Sequence, residues 1–270
     1  MAPAADPLRA ETLVAVDAVR RALLVVRRGL GTGEITSKGG RDLVTATDIA
    51  VEDAIRSAVA GTHGGPVIGE ERGGEPPSDG SAYWLVDPIC GTRNFASGIP
   101  LYCVNLALVE RAIVTAAVVG DGSTGELVAA ERGRGAWRLG DDARHRLETS
   151  EGSRTIVVED GQSQGARREH AARFVAAAIR ADRWDIRSLG TTLAMPYLTA
   201  GRISAYVVFR ASAIHTAAGS LLVTEAGGTV SDIDGRPWCV HSDSLIGSAT
   251  PRLLEELLGL ARAAREPLVR

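Results

Sequence analysis

Two short apolar runs that close on carboxylates constrain this chain more than any other feature. Val67-Ile68-Gly69 runs into Glu70-Glu71, and Trp84-Leu85-Val86 runs straight into Asp87-Pro88. Apolar runs of this length, bounded by turn residues, read as buried strands. Acids at the carboxyl ends of strands stand where open α/β sheets gather their ligands. Around these two runs, 103–109, 113–119 and 126–130 have the β-branched, alternating character of a meander. Farther on, strands over 155–158, 185–188 and 203–209 alternate with helices over 169–179, 192–200, 216–226 and 251–265. Amphipathic spacing predicts helices over 7–30, stopped by Gly29, Gly31 and Gly33, and over 47–59. The first half therefore reads as α+β and the second as α/β. A polar junction at 149–153 divides them into 1–150, which carries both acid-ended runs, and 151–270. The two form one compact unit with the site between them.

Composition excludes several classes of function. A net charge of −3 leaves no basic field for nucleic acid or an anionic membrane. The longest apolar stretches, such as 22–26, fall far short of the ~20 residues that span a bilayer. The first residues have early acids and no apolar core of a secretory signal, so a cytoplasmic protein is expected. Three cysteines, Cys90, Cys103 and Cys239, are too few and too irregular for a disulfide scaffold. They read first as buried small hydrophobes in a reducing compartment. Lys38 is the single lysine among many arginines, which with abundant Ala, Gly and Val suggests a GC-rich bacterial genome.

The acids recur in otherwise apolar segments: Asp48 in DLVTATDIAVE, Glu70 and Glu71 in IGEE, Asp87 in WLVDPICGT. A single acid is usually a solvated surface charge. Several converging on one cleft need a shared proton or a cation. Oxygen ligands of this kind favour magnesium beside a phosphorylated substrate. Backbone N–H groups at Gly91-Thr92 suit a phosphate, and Thr92 adds a hydroxyl; the same geometry also suits Thr92 as a plain helix cap.

These motifs together resemble the inositol monophosphatase family, within the lithium-sensitive, magnesium-dependent phosphatases. The resemblance covers most of the chain and is carried by DLVTATD ending at Asp48, GEE at 69–71, WLVDPICGTRNF at 84–95, RSLGTT at 187–192 and AAGSLLVTEAGG at 217–228. It implies a layered αβαβα sandwich of the inositol monophosphatase and fructose-1,6-bisphosphatase type, and a homodimer. It also implies that Glu70, Asp87 and the Ile89 carbonyl hold a first magnesium, and that Asp48 and Thr92 orient and deprotonate the attacking water. The amides of Cys90, Gly91 and Thr92 would cradle the phosphate.

Two positions depart from the family pattern. DPIDGT reads DPICGT, so Cys90 replaces an aspartate, and a WD pair reads Ile214-His215. Both lost carboxylates belong to the family's second magnesium site, so loss of that ion is expected. Three readings follow. Asp87, Cys90 and His215 form a three-ligand site for a softer metal such as zinc; or Cys90 and His215 form a dyad in which the thiol is nucleophile or proton donor, oriented by Asp87; or the site is relaxed, leaving a one-magnesium phosphomonoesterase for inositol or sugar phosphates, or a non-catalytic binding or scaffold homologue. The leading expectation is Cys90/His215-assisted chemistry on a small molecule of specialised metabolism. Arg210, before the His215 segment, is expected to contact a carboxylate or phosphate. Lys38 lies near a family active-site lysine. Val207 and Val208 stand where the family often has an acidic sugar-binding residue. Cys103 and Cys239 are expected in the interior, and His63, His145, His170 and His241 on the surface or in loops.

Overall fold

The computed structural model describes residues 8–30, 35–39, 42–62, 64–140 and 143–265. Helix α1 (Ala10–Gly29) buries Ala15, Ala18, Val19, Ala22, Leu23 and Val26 along one stripe, the spacing that predicted it. Gly31, Gly33, His63 and the side chain of Lys38 lie outside the described residues. A hairpin of β1 (Ile35–Gly39) and β2 (Asp42–Thr45) leads into α2 (Ala46–Val59). Thr45 caps that helix through a capping box with Asp48: the Asp48 N–H donates to Thr45 Oγ1, and the Thr45 N–H donates to Asp48 Oδ2. One of the four acids is thereby fixed in place by local helix chemistry.

Helices α1 and α2 cover one face of a seven-stranded sheet. Its order is sequential: β3 (Val67–Gly69), β4 (Tyr83–Cys90), β5 (Cys103–Glu110), β6 (Ile113–Asp121), β7 (Leu127–Glu131), β8 (Gly135–Leu139) and β9 (Arg144–Arg146). Only the β3–β4 pair is parallel. Alternation along the strands sends Trp84, Val86, Leu106 and Leu108 toward α1 and α2. Leu85, Cys103, Ala107 and Val109 point the other way, onto α6 (Ala213–Glu225).

Beyond α6 and α5 (Ala194–Thr199) lies a second sheet. It comprises β11 (Asp185–Arg187), β10 (Thr155–Glu159), β12 (Ala205–Val208), β14 (Leu245–Ser248) and β13 (Thr229–Ser231), in that order. Val157, Tyr206, Val208 and Leu245 pack on the middle helices, and Ile156, Val158, Val207 and Ile246 on α4 (Gly165–Ala181) and α7 (Pro251–Ala263). The result is the expected αβαβα sandwich. Helix α6 is buried along 216–223 because a sheet lies on either side of it. A Cβ on Gly219 would come within 2.3 Å of Met195 Sδ, so the α5–α6 approach requires glycine there.

The seven-stranded sheet ends at Arg146 and the five-stranded one begins at Thr155, with the polar 149–153 segment between them. The hairpin β1–β2 and strands β8, β9, β13 and β14 go beyond the sequence expectation. Cys103 is buried as expected, but Cys239 is exposed: it lies in the loop between β13 and β14, where Trp238 and Val240 on either side pack against the core and Cys239 faces outward. Among the described residues no helix is long and apolar enough to cross a membrane.

Candidate active site

The site begins with an irregularity in β4. Asp87 pairs with Asn105 and Cys90 with Cys103, so three steps along β4 match two along β5. In a regular strand, residues three apart face opposite sides. One extra residue here turns Asp87 and Cys90 to the same face. Pro88, which has no N–H to give a ladder, sits inside the irregular stretch, a place where a strand tolerates proline. The DPIC motif thereby brings a carboxylate and a thiol together on the face that meets α6.

Helix α6 delivers the third member from its first turn. Ligand atoms of Asp87, Cys90 and His215 all lie within 4.8 Å of one another. His215 Nδ1 is 2.9 Å from Asp87 Oδ2 and 3.9 Å from Glu70 Oε2. Cys90 Sγ accepts from the hydroxyl of Thr192 (3.0 Å) and from its N–H (3.3 Å), while Thr191 Oγ1 donates to the Cys90 carbonyl (2.7 Å). Asn105 Nδ2 bridges the group, donating to Thr192 Oγ1 at 3.0 Å and to Asp87 Oδ2 at 3.4 Å. Asp87 is fully buried, yet its Oδ1 has no hydrogen-bond partner.

Burial alone would depress the His215 imidazole. Its hydrogen bonds to Asp87 and Cys90, with the charges of Asp87 and Glu70, outweigh that and hold it well above the ordinary histidine range. The neighbouring Cys103 thiol, burial and the Asp87 charge push the Cys90 thiol well above its usual value, against a smaller pull from His215. The Cys90 shift runs against an activated thiolate, which needs the thiol pulled down rather than pushed up. A third of the His215 side chain still reaches the cleft.

On the other flank, Thr92 opens the short helix α3 (Thr92–Ala96) behind Gly91, which has φ +104°. A Cβ on Gly91 would meet the Leu101 carbonyl at 2.8 Å, so this turn is built for glycine. The Thr92 hydroxyl lies 3.0 Å from the Ile89 carbonyl and 3.2 Å from Asp48 Oδ1. Burial raises the Asp48 pKa against the hydrogen bonds from Thr45 and Thr92. Glu70 enters from the turn after β3. Buried Glu52 fixes that turn by accepting the N–H groups of Glu71 (2.7 Å) and Arg72 (3.1 Å).

Glu70, Asp87, Ile89, Cys90, Gly91, Thr92 and His215 line one cleft, joined by Arg93, Gln162 and Gly190. Arg210 is exposed and is not among the lining residues. The Gly161 turn packs against the Arg210 backbone, and it is Gln162 from that turn that reaches the cleft. Nothing in the local sequence around Gln162 marks it, because only the β10–α4 connection brings it there. Thr192 and Asn105 were also missed as site residues; Thr192 lies within the RSLGTT motif but has no chemistry of its own to announce it.

The profile of the inositol monophosphatase family matches residues 8–266. The chain belongs to that family. An inositol-1-monophosphatase of Mesorhizobium japonicum is 32% identical over 87% of each chain. A protein named Nus factor SuhB of Pasteurella multocida is 32% identical over 91% of this chain and 93% of its own. The solved Thermotoga maritima IMPase TM1415 superposes with a TM-score of 0.82 at 26% identity, covering 95% of this chain and 98% of that one. Members of this family are phosphatases acting on small-molecule phosphates.

Proposed function

We propose that this family member hydrolyses a phosphate monoester of a small molecule with one hard cation, His215 standing beside its ligand Asp87 where a second would sit. The observation that carries the reading is Asp87 Oδ1, a fully buried carboxylate oxygen without a partner. Such an atom is costly unless something cationic meets it. Glu70, Asp87 and the Ile89 carbonyl, all oxygen donors, suit magnesium. A bound ion there would polarise the phosphoryl oxygens and offset their charge.

The chain's own groups do the rest. The amides of the Gly91 turn receive the phosphate. Thr92 Oγ1 donates to one of its two acceptors, Asp48 or the Ile89 carbonyl, and offers its lone pairs to a water. Asp48 takes that water's proton, with a pKa lifted by burial toward the range useful to a general base. His215, held by Asp87, faces the leaving-group side of the cleft without a second ion.

A softer metal at Asp87, Cys90 and His215 is the second reading, favoured by their grouping within 4.8 Å and by an O, S, N donor set that suits zinc. Chemistry through a Cys90 thiolate ranks behind both, because it must work against the groups that keep the thiol neutral.

The test is phosphate release from a panel of inositol and sugar phosphates, with magnesium or zinc added to stripped protein. Magnesium-dependent turnover lost in Asp48→Asn but retained in Cys90→Ser supports the first reading. Turnover that requires zinc, with zinc held at one per chain, favours the second. Activity abolished by Cys90→Ser but not by Asp48→Asn overturns both in favour of thiol chemistry. Binding of phosphate esters without turnover in any metal points to a binding homologue.

A further inference from the structure

Beneath the floor of the cleft two thiols meet. Cys90 and Cys103 are register partners on the antiparallel pair β4–β5, and both side chains point into the same packed layer against α6. Both sulfurs lie close to one hydroxyl: Thr192 Oγ1 is 3.0 Å from Cys90 Sγ and 3.7 Å from Cys103 Sγ. Directly opposed residues of an antiparallel pair have Cα atoms about 4.5–5.5 Å apart, inside the range that a disulfide spans. Access to the two is unequal. Cys90 lines the cleft, whereas Cys103 is fully buried behind it.

We propose that Cys90 and Cys103 are an oxidation site, at which a peroxide entering the cleft forms an intramolecular disulfide. The first step is slow, because its neighbours hold the Cys90 thiol neutral, and it needs peroxide in excess. The Cys90 sulfur attacks one peroxide oxygen; the O–O bond breaks, the departing hydroxide takes the thiol proton as one water, and a sulfenic acid is left on Cys90. The Cys103 sulfur then attacks the Cys90 sulfur, and the hydroxyl leaves as a second water with the remaining thiol proton. Two thiols are oxidised by two electrons in all, and one peroxide is reduced to two waters. Cys103 is thus the resolving thiol, which halts Cys90 before it advances to the irreversible sulfinic acid. The disulfide withdraws Cys90 Sγ from Thr192 and from the Asp87–His215 group, so the cleft loses its arrangement until a reductant restores it. Exposed Cys239 has no part in this and serves as an internal control. The inference goes beyond the proposed reaction and does not depend on it.

Hydrogen peroxide treatment of the whole protein, followed by denaturing alkylation and peptide mapping, decides the matter. The expected result is a chain lighter by two hydrogens, with one alkylated cysteine, Cys239, and a single cross-linked peptide pair holding Cys90 and Cys103. Cys103→Ser, which keeps a hydroxyl among Asn105, Thr191 and Thr192, should instead accumulate oxygen adducts on Cys90. Three alkylated cysteines after peroxide, a dimer joined only through Cys239, or equal oxygen adducts on Cys90 in both proteins would overturn the proposal. Where phosphate release is measurable, it should fall on oxidation and return with dithiothreitol.

Discussion

Asp48 has two tasks, and Asp48→Asn should separate them. Its Oδ2 accepts the Thr45 N–H at 2.8 Å and the Thr45 hydroxyl, completing the cap of α2, while its Oδ1 lies 3.2 Å from the Thr92 hydroxyl. An asparagine can keep its oxygen on the Thr45 side and turn its NH2 toward Thr92 Oγ1, which still donates to the Ile89 carbonyl at 3.0 Å. No buried donor is then stranded. Replacing charge-assisted hydrogen bonds with neutral ones costs about 1 kcal/mol, and relief from burying a carboxylate works in the opposite direction. The net change in stability should stay within about 1 kcal/mol, or about 2–4 °C in Tm. Asp48→Ala behaves differently. It loses one side of the capping box and strands the Thr45 N–H, for about 2–4 kcal/mol together.

For activity the expectation is reversed, since both variants lose the proton acceptor and phosphate release should fall by about 10²–10⁴. The pH dependence adds a sign. Burial raises the folded-state pKa of Asp48 above its unfolded value, so its contribution to stability is largest in acid and is lost as pH rises through the folded pKa. Asp48→Asn should therefore gain relative to the parent as pH rises through that window. Differential scanning calorimetry at several pH values, beside a phosphate-release assay, reads both quantities. An Asn variant as unstable as the Ala variant refutes the flipped-amide argument. One that turns over within tenfold of the parent refutes the role of Asp48 as base.

Other perturbations follow from the same geometry. Cys90→Asp with His215→Asp rebuilds a hard second cation site and should raise magnesium-dependent phosphate release at least tenfold, with two magnesium ions per chain by metal analysis; an unchanged rate would show that more than the ligands has diverged. Gly91→Ala forces a side chain into φ +104° and against the Leu101 carbonyl. It should cost about 1–3 kcal/mol from backbone strain alone, read by denaturant melts. Glu159→Ala removes the acceptor for the Leu189 N–H, Gly190 N–H and Ser188 hydroxyl. At about 1–3 kcal/mol for each stranded donor, melts should show a large loss, and the released 188–192 segment should weaken phosphate-ester binding.

How much of this was legible in the sequence depends on the distance over which each feature is decided. The capping box of α2 and the stripe of α1 are set within a few residues, and periodicity finds them. Strands β8 and β14 are short and made by pairing, so β14 is recognisable only once β12 and β13 flank it. Cys239 follows a tryptophan, and local apolarity suggested an interior; Trp238 and Val240 on either side do pack against the core, but Cys239 between them faces outward. Arg210 lies two positions beyond the end of buried strand β12, a place that says little about which side of a cleft its side chain takes.

The DPIC motif is the instructive case. Motif comparison said that Cys90 and His215 should meet, and the structure brings them together with Asp87. A regular strand would set Asp87 and Cys90 on opposite faces, and it is the extra residue beside Pro88 that unites them. The same shift in register sets Cys90, singled out by its motif, opposite Cys103, which was expected only as a buried small hydrophobe. An aspartate at position 90 would have met a thiol there without consequence. A cysteine at that position meets one with which it can bond, so the residue that stands where the motif comparison expects a hard cation ligand also makes an oxidisable pair.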